Sequence, residues 1–258
     1  MKEEFITPEI AAKYLKRNTS NRKLRRTTAI DKYAYDMIAG NWTQCVAPIV
    51  FYEDGELADG QHRLAAIVES GCAQKFYVLH GVKREAGLNI DNGLPRSLVD
   101  SAKISGLDRS LTNEMISLAR ALEMGNRTSS SLSNAERMAL VQKHRAVCEW
   151  VLKNGPRGTG IRNSLVMAAV GRAWLREKNA DLLKRYCEVL STGFSEGPTE
   201  TAAVSMRNYL LTRGFSIVDV RLWRDTFLKA QNSISYFMKG KPLTVIKTVS
   251  EEAYPLPK

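Results

Sequence analysis

A change of pattern near Gly106 most limits what this chain can fold into. Before it, short apolar stretches of β and α character alternate. After it, nearly every apolar residue recurs at helical spacing. Val46–Tyr52 is β-rich although broken by Pro48, Glu53-Asp54-Gly55 is a hairpin signal, Glu56–Ala58 is a short return strand, and Phe76–Val82 reads as a third strand. Thr7-Pro8-Glu9 is a helix start, with a hydroxyl N-cap, proline at the first helical position and an acid in the first turn. A second helix is expected over Thr28–Ile38, and a third from Leu64 to the C-terminal glycine Gly71. Beyond Gly106, helical periodicity covers Met115–Met124, Ala135–Leu152, Ser164–Glu177, Ala180–Leu190, Glu200–Leu211 and Val218–Phe237. The expectation is an α+β chain: a small mixed α/β domain over 1–105, an all-α domain over 106–249, and a loose tail over 250–258.

Between the short return strand and the third helix stands Asp59-Gly60-Gln61-His62-Arg63. The chain holds only three histidines, and one of them is here. A helix N-terminus carries unpaired N–H groups and partial positive charge, which suit a phosphate. Gly60 lets backbone approach an anion without a Cβ, Arg63 offers a planar fork, and His62 can donate to phosphate or move a proton. Asp59 can help hold Mg²⁺, and Gln61 can bond a water or a base. Each has a structural counterpart: Asp59 can cap the helix, His62 can be a satisfied histidine, and Arg63 can pair with Glu69 or Asp91. Five such residues in a row favour function. Asp91, Arg96 and Ser97 follow the third strand, where a loop can close on the ligand with Arg96 at a phosphate, although Asn92-Gly93 is also an ordinary turn.

The formal net charge of +11 favours an anionic partner. Lys13, Lys16, Arg17, Arg22, Lys23, Arg25, Arg26 and Lys32 crowd one segment with Asp31 the only acid among them, and Arg17, Arg22, Lys23, Arg25 and Arg26 are the candidate DNA contacts. Cys45, Cys72, Cys148 and Cys187 lack metal-ligand spacing and read as reduced thiols. No apolar run reaches membrane-spanning length and the first residues lack a signal core, so a cytoplasmic protein is expected, with no membrane partner. His80 and His144 read as structural, and Trp42, Trp150, Trp174 and Trp223 as core or interface anchors.

The order strand, turn, Asp59-Gly60-Gln61-His62-Arg63, helix resembles the ParB/sulfiredoxin superfamily, with Thr7-Pro8-Glu9 and Asn21-Arg22 extending the likeness. The wider arrangement is similar to phage ParB-like proteins with this motif and a helical C-terminal region, the stretch from Leu228 to Lys241 included. The superfamily core covers about the first hundred residues. Sulfiredoxins carry a cysteine where Gln61 stands, so their thiol chemistry is not expected. Chromosome-partition members bind CTP through a Glu-Arg-Arg motif, from which His62 departs. The free-serine kinases have Asp-Gly-His-His-Arg, closest in chemistry, and a glutamate near the first helix that acts as base; Glu9 occupies the comparable place.

The resemblance thus implies a nucleotide-binding domain that takes ATP or CTP with Mg²⁺. The expected activity is an NTPase or a phosphotransferase working on or with DNA, for example a phage DNA-base-modification kinase. Asp59, His62 and Glu9 are its catalytic candidates, and Gly60, Gln61, His62, Arg63 and Arg96 its nucleotide contacts. A nucleotide-switched DNA-binding or partition-like protein is the alternative, a nuclease the third, and a homodimer is allowed by either of the first two.

Overall fold

The computed structural model describes residues 1–19, 24, 29–89, 97–125, 132–213 and 220–256. The chain divides into two compact units, one of residues 1–97 with 131–135, the other of 98–130 with 136–258. Together they make an α+β protein whose C-terminal part is helical.

The first unit holds a four-stranded sheet of β1 (Lys2–Ile6), β2 (Ile49–Tyr52), β3 (Leu57–Asp59) and β4 (Gln74–Val82), in the order β1-β4-β2-β3. β1 runs antiparallel to β4, with Glu4 opposite Phe76. β2 and β3 form an antiparallel hairpin, and β2 lies parallel to β4 with Ile49 opposite Val78. Period-two patterning puts Ile49 and Phe51 fully inside while Val50 and Tyr52 stay partly exposed. The hairpin closes at Gly55, whose φ of +84° and N–H bond to the Tyr52 carbonyl at 2.9 Å account for the Asp-Gly signal.

Among the described residues three helices build the rest of this core: α1 (Pro8–Leu15), α2 (Asp31–Ile38) and α3 (Gln61–Ser70). Thr7 caps α1 by accepting from the Ile10 N–H at 3.4 Å, and Pro8 occupies the first turn. α1 and α2 both pack against α3, burying Ala11, Ala34, Met37, Leu64 and Ile67 with the strand residues Ile6, Phe51, Leu57, Phe76 and Val78. β1 is an element that sequence patterning did not announce, because Lys2, Glu3 and Glu4 mask it; only Ile6 is fully buried, as suits an edge strand. β2 starts at Ile49 rather than at Val46, since Pro48 cannot donate to a ladder.

The second unit comprises α4 (Leu98–Ile104), α5 (Asn113–Met124), α6 (Asn134–Asn154), α7 (Ser164–Trp174), α8 (Ala180–Thr192), α9 (Thr201–Arg213) and α10 (Val220–Met238). α7 is its axis: every residue from Leu165 to Ala173 is buried, the pattern of a helix surrounded by others. Among the described residues no helix is long and apolar enough to cross a membrane.

The tail departs from expectation. Gln231 of α10, fully buried, donates to the Tyr254 carbonyl at 3.2 Å and accepts the Tyr254 N–H at 2.9 Å. The Tyr254 hydroxyl donates to Glu177 at 2.6 Å, Arg176 donates to the Pro255 carbonyl at 3.1 Å, and Arg172 pairs with Glu252. Residues 252–255 are therefore a strap fixed to α7 and α10. What fixes the segment is recognition of the Tyr254 backbone by the side-chain amide of Gln231.

Candidate functional site

β3 ends at Asp59, and the chain enters α3 through Gly60 at φ +104°. A Cβ there would also lie 2.4 Å from Ile49 Cδ1, so glycine is required both by the turn and by the close approach to β2. No side chain caps α3, and its first internal bond is Leu64 N–H to Gly60 carbonyl at 3.0 Å. The N–H groups of Gln61, His62 and Arg63 therefore precede the helical ladder, and His62 sits half-exposed at the second helical position.

The other members of the motif serve the fold. Asp59 Oδ1 accepts the Gly60 N–H at 2.6 Å, and Oδ2 accepts from Arg63 Nη2 at 3.0 Å. The Arg63 side chain is only 11% exposed. Its guanidinium also donates to the carbonyls of Ala47 and Pro48, the latter at 3.1 Å, and Nη1 lies 3.9 Å from Cys45 Sγ. Arg63 thus ties the irregular stretch 45–48 to the start of α3. This corrects its assignment as a phosphate ligand, because a buried guanidinium holding two main-chain carbonyls and a carboxylate is already committed. Asp59 is drawn into the same framework, each oxygen taking one of these bonds while a third of the side chain stays exposed. Among the described residues there is no group of three or more His, Cys, Asp or Glu that could hold a metal.

Gln61 is buried, and its Oε1 accepts from Asn18 Nδ2 at 3.0 Å, which takes it out of ligand reach. Glu9 is exposed in the first turn of α1, where the Thr7 hydroxyl and its own backbone N–H hold its carboxyl below the usual range. Arg17, also exposed, lies over the Phe51 ring with its Cζ 4.7 Å from the centroid. Arg22, Lys23, Arg25, Arg26, Asp91 and Arg96 lie outside the described residues.

Sequence reading missed the residues that brace the β2–β3 hairpin ahead of this turn. Arg84 donates through Nε to Asp54 at 2.8 Å and also pairs with Glu56, while Thr19 donates to Glu56. The polar run after α1 was the available signal, and it read only as a turn. In the helical unit, the Glu123 carboxylate takes His144 Nε2 at 2.8 Å and Lys143 Nζ at 2.9 Å, so His144 is paired and buried. The same unit contains a cleft of about 350 Å³ beside α5 and α7, across which Arg162 Nε donates to Glu114 at 2.6 Å. None of the residues singled out from the sequence lines it. The arginine–glutamate pair closing it satisfies itself, so the chemistry favours α3.

Comparison with models of known protein families, with curated proteins and with solved structures gave no match.

Proposed function

We propose that this chain is a nucleotide-dependent enzyme of ParB/sulfiredoxin type, an NTPase or phosphotransferase acting on or with DNA. The phosphates of ATP or CTP would lie at the start of α3. The observation that carries this reading is the entry to α3: a positive-φ glycine followed by a helix start with no side-chain cap. That geometry presents backbone N–H groups and the helix dipole to an anion. His62, half-exposed in the same turn, is the group assigned to donate to a phosphate or shuttle a proton. Arg63 and Asp59 support the seat from below rather than touching the ligand. The net charge of +11 and the exposed Arg17 suit a DNA partner.

A second reading, nucleotide-switched DNA binding with little turnover, is favoured by one feature: Asp59, the carboxylate nearest the seat in sequence, is tied to Gly60 and Arg63. One pair of experiments separates the two. Calorimetric titration with ATP, CTP and GTP is expected to show binding of at least one, and His62→Ala to weaken it. Incubation with γ-labelled nucleotide and either serine or hydroxymethylated DNA is expected to release or transfer label. Binding without turnover supports the switch; no binding of any of the three nucleotides removes both readings.

A further inference from the structure

The cleft beside α5 and α7 belongs to the helical unit alone. Its floor is apolar: Leu118 and Met167 line it while almost fully buried. Its rim is polar, with Ser117 on α5 and Ser164 at the start of α7. The volume of about 350 Å³ far exceeds one water and lies at the lower end of ordinary ligand pockets.

Both walls stand on fixed backbone. Thr112 caps α5 by accepting the Met115 N–H at 3.1 Å, and Asn163 caps α7 by accepting the Leu165 and Val166 N–H groups, each at 3.1 Å. Just ahead of that second cap, the Arg162 N–H donates to the Gly158 carbonyl at 3.0 Å. The two helices pack against each other, so Arg162 and Glu114 meet from rigid supports. Less conformational entropy is lost when a site built this way takes a ligand.

Arg162 and Glu114 balance each other in charge but not in hydrogen bonding. One bond joins them, Nε to Oε1 at 2.6 Å. A guanidinium has five N–H groups and a carboxylate two oxygens. Among the described residues no other bond reaches either group, and the side chains are 29% and 50% exposed. Arg162 Nη1 and Nη2 and Glu114 Oε2 thus place cationic donors beside an anionic acceptor, over an apolar floor. A simple anion meets Glu114 as a like charge, and a simple cation meets Arg162 in the same way. A molecule that carries both charges on neighbouring atoms meets neither obstacle.

We propose that this cleft binds a free α-amino acid with an apolar side chain. The ligand carboxylate takes the two Nη groups of Arg162, its ammonium takes Glu114, and its side chain lies on Leu118 and Met167. The Ser117 and Ser164 hydroxyls bond what remains of the two polar heads. The site does not depend on the proposed reading of α3.

The test uses the full chain and calorimetric titration with L-leucine, L-methionine and L-phenylalanine. L-leucinamide and N-acetyl-L-leucine follow, each of which lacks one of the two charges. At least one of the three amino acids is expected to bind, and the blocked forms of leucine to bind about tenfold more weakly than leucine itself. Arg162→Gln and Glu114→Gln should each weaken binding by about tenfold. Ser117→Trp fills the cleft from an exposed helix position without altering either charged residue, and should abolish binding. Should a charge variant melt at lower temperature, Ser117→Trp decides, together with methyl NMR of methionine-labelled protein. There the Met167 signal, assigned by its loss in Met167→Leu, is expected to shift on titration. No binding of any of the three amino acids overturns the proposal. So do blocked forms that bind as tightly as leucine, an unmoved Met167 signal, or wild-type affinity in Ser117→Trp.

Discussion

Arg63 Nη2 stands 3.0 Å from Asp59 Oδ2, one helical turn apart across the entry to α3, while the same guanidinium holds the Ala47 and Pro48 carbonyls. The pair joins β3, α3 and the stretch before β2 at one buried point. Arg63→Ala would strand two carbonyls and a carboxylate, and a loss of about 2–4 kcal/mol is expected in urea unfolding. Asp59→Ala should cost less, because its side chain is 33% exposed. The double variant should lose less than the two singles together. Equal, small losses from both would return Arg63 to the role of a ligand.

Gly60→Ala places a Cβ 2.4 Å from Ile49 Cδ1 at φ +104°. Strain at positive φ and overpacking each contribute, and about 2–3 kcal/mol of destabilisation is expected. Adding Ile49→Val removes the Cδ1 atom and should recover the steric part but not the conformational part. Thermal melting of Gly60→Ala, Ile49→Val and the double variant separates the two contributions.

Acid should weaken the helical unit through Glu123. Burial pushes its carboxyl upward, but hydrogen bonds from Lys143 and His144 outweigh that and hold it below its ordinary 4.5. A depressed carboxyl lends stability above the unfolded value and loses it as pH falls through the folded one. Unfolding free energy measured from pH 6 downward should therefore begin to fall near pH 4.5, and Glu123→Gln should flatten that decline.

Gln231→Leu keeps the volume but leaves the Tyr254 N–H and carbonyl without their partner inside the protein. A loss of about 2–3 kcal/mol is expected. The Tyr254 amide should exchange with deuterium much faster, and limited proteolysis should cleave within the strap. Unchanged exchange at Tyr254 would show that the other strap contacts suffice.

Local signals were legible where one residue's own chemistry sets the structure. Thr7-Pro8 marks the start of α1, Gly71 ends α3 at φ +68°, and Gly55 turns the hairpin. The long helices were legible because each has an apolar face: α6 was expected over Ala135–Leu152 and runs Asn134–Asn154. What was not legible depends on partners distant in sequence. β1 reads as charged until Phe76 supplies its mate, and the tail reads as loose until Gln231 reads its backbone. In the motif, residue types pointed to an anion seat, but only the fold shows Arg63 turned toward Ala47 and Pro48.

The central place of β4 has a consequence for synthesis. β4 alone joins the N-terminal strand to the β2–β3 hairpin, antiparallel on one side and parallel on the other. A growing chain that has reached Ser70 therefore carries two unmated strand edges and an uncovered Ile6, with nothing yet made that can bridge them. Closure over so long a span is slow, and stalled chains of this length invite aggregation or chaperone capture. A chain that ends before Gln74 lacks the one strand that joins β1 to the hairpin in this sheet.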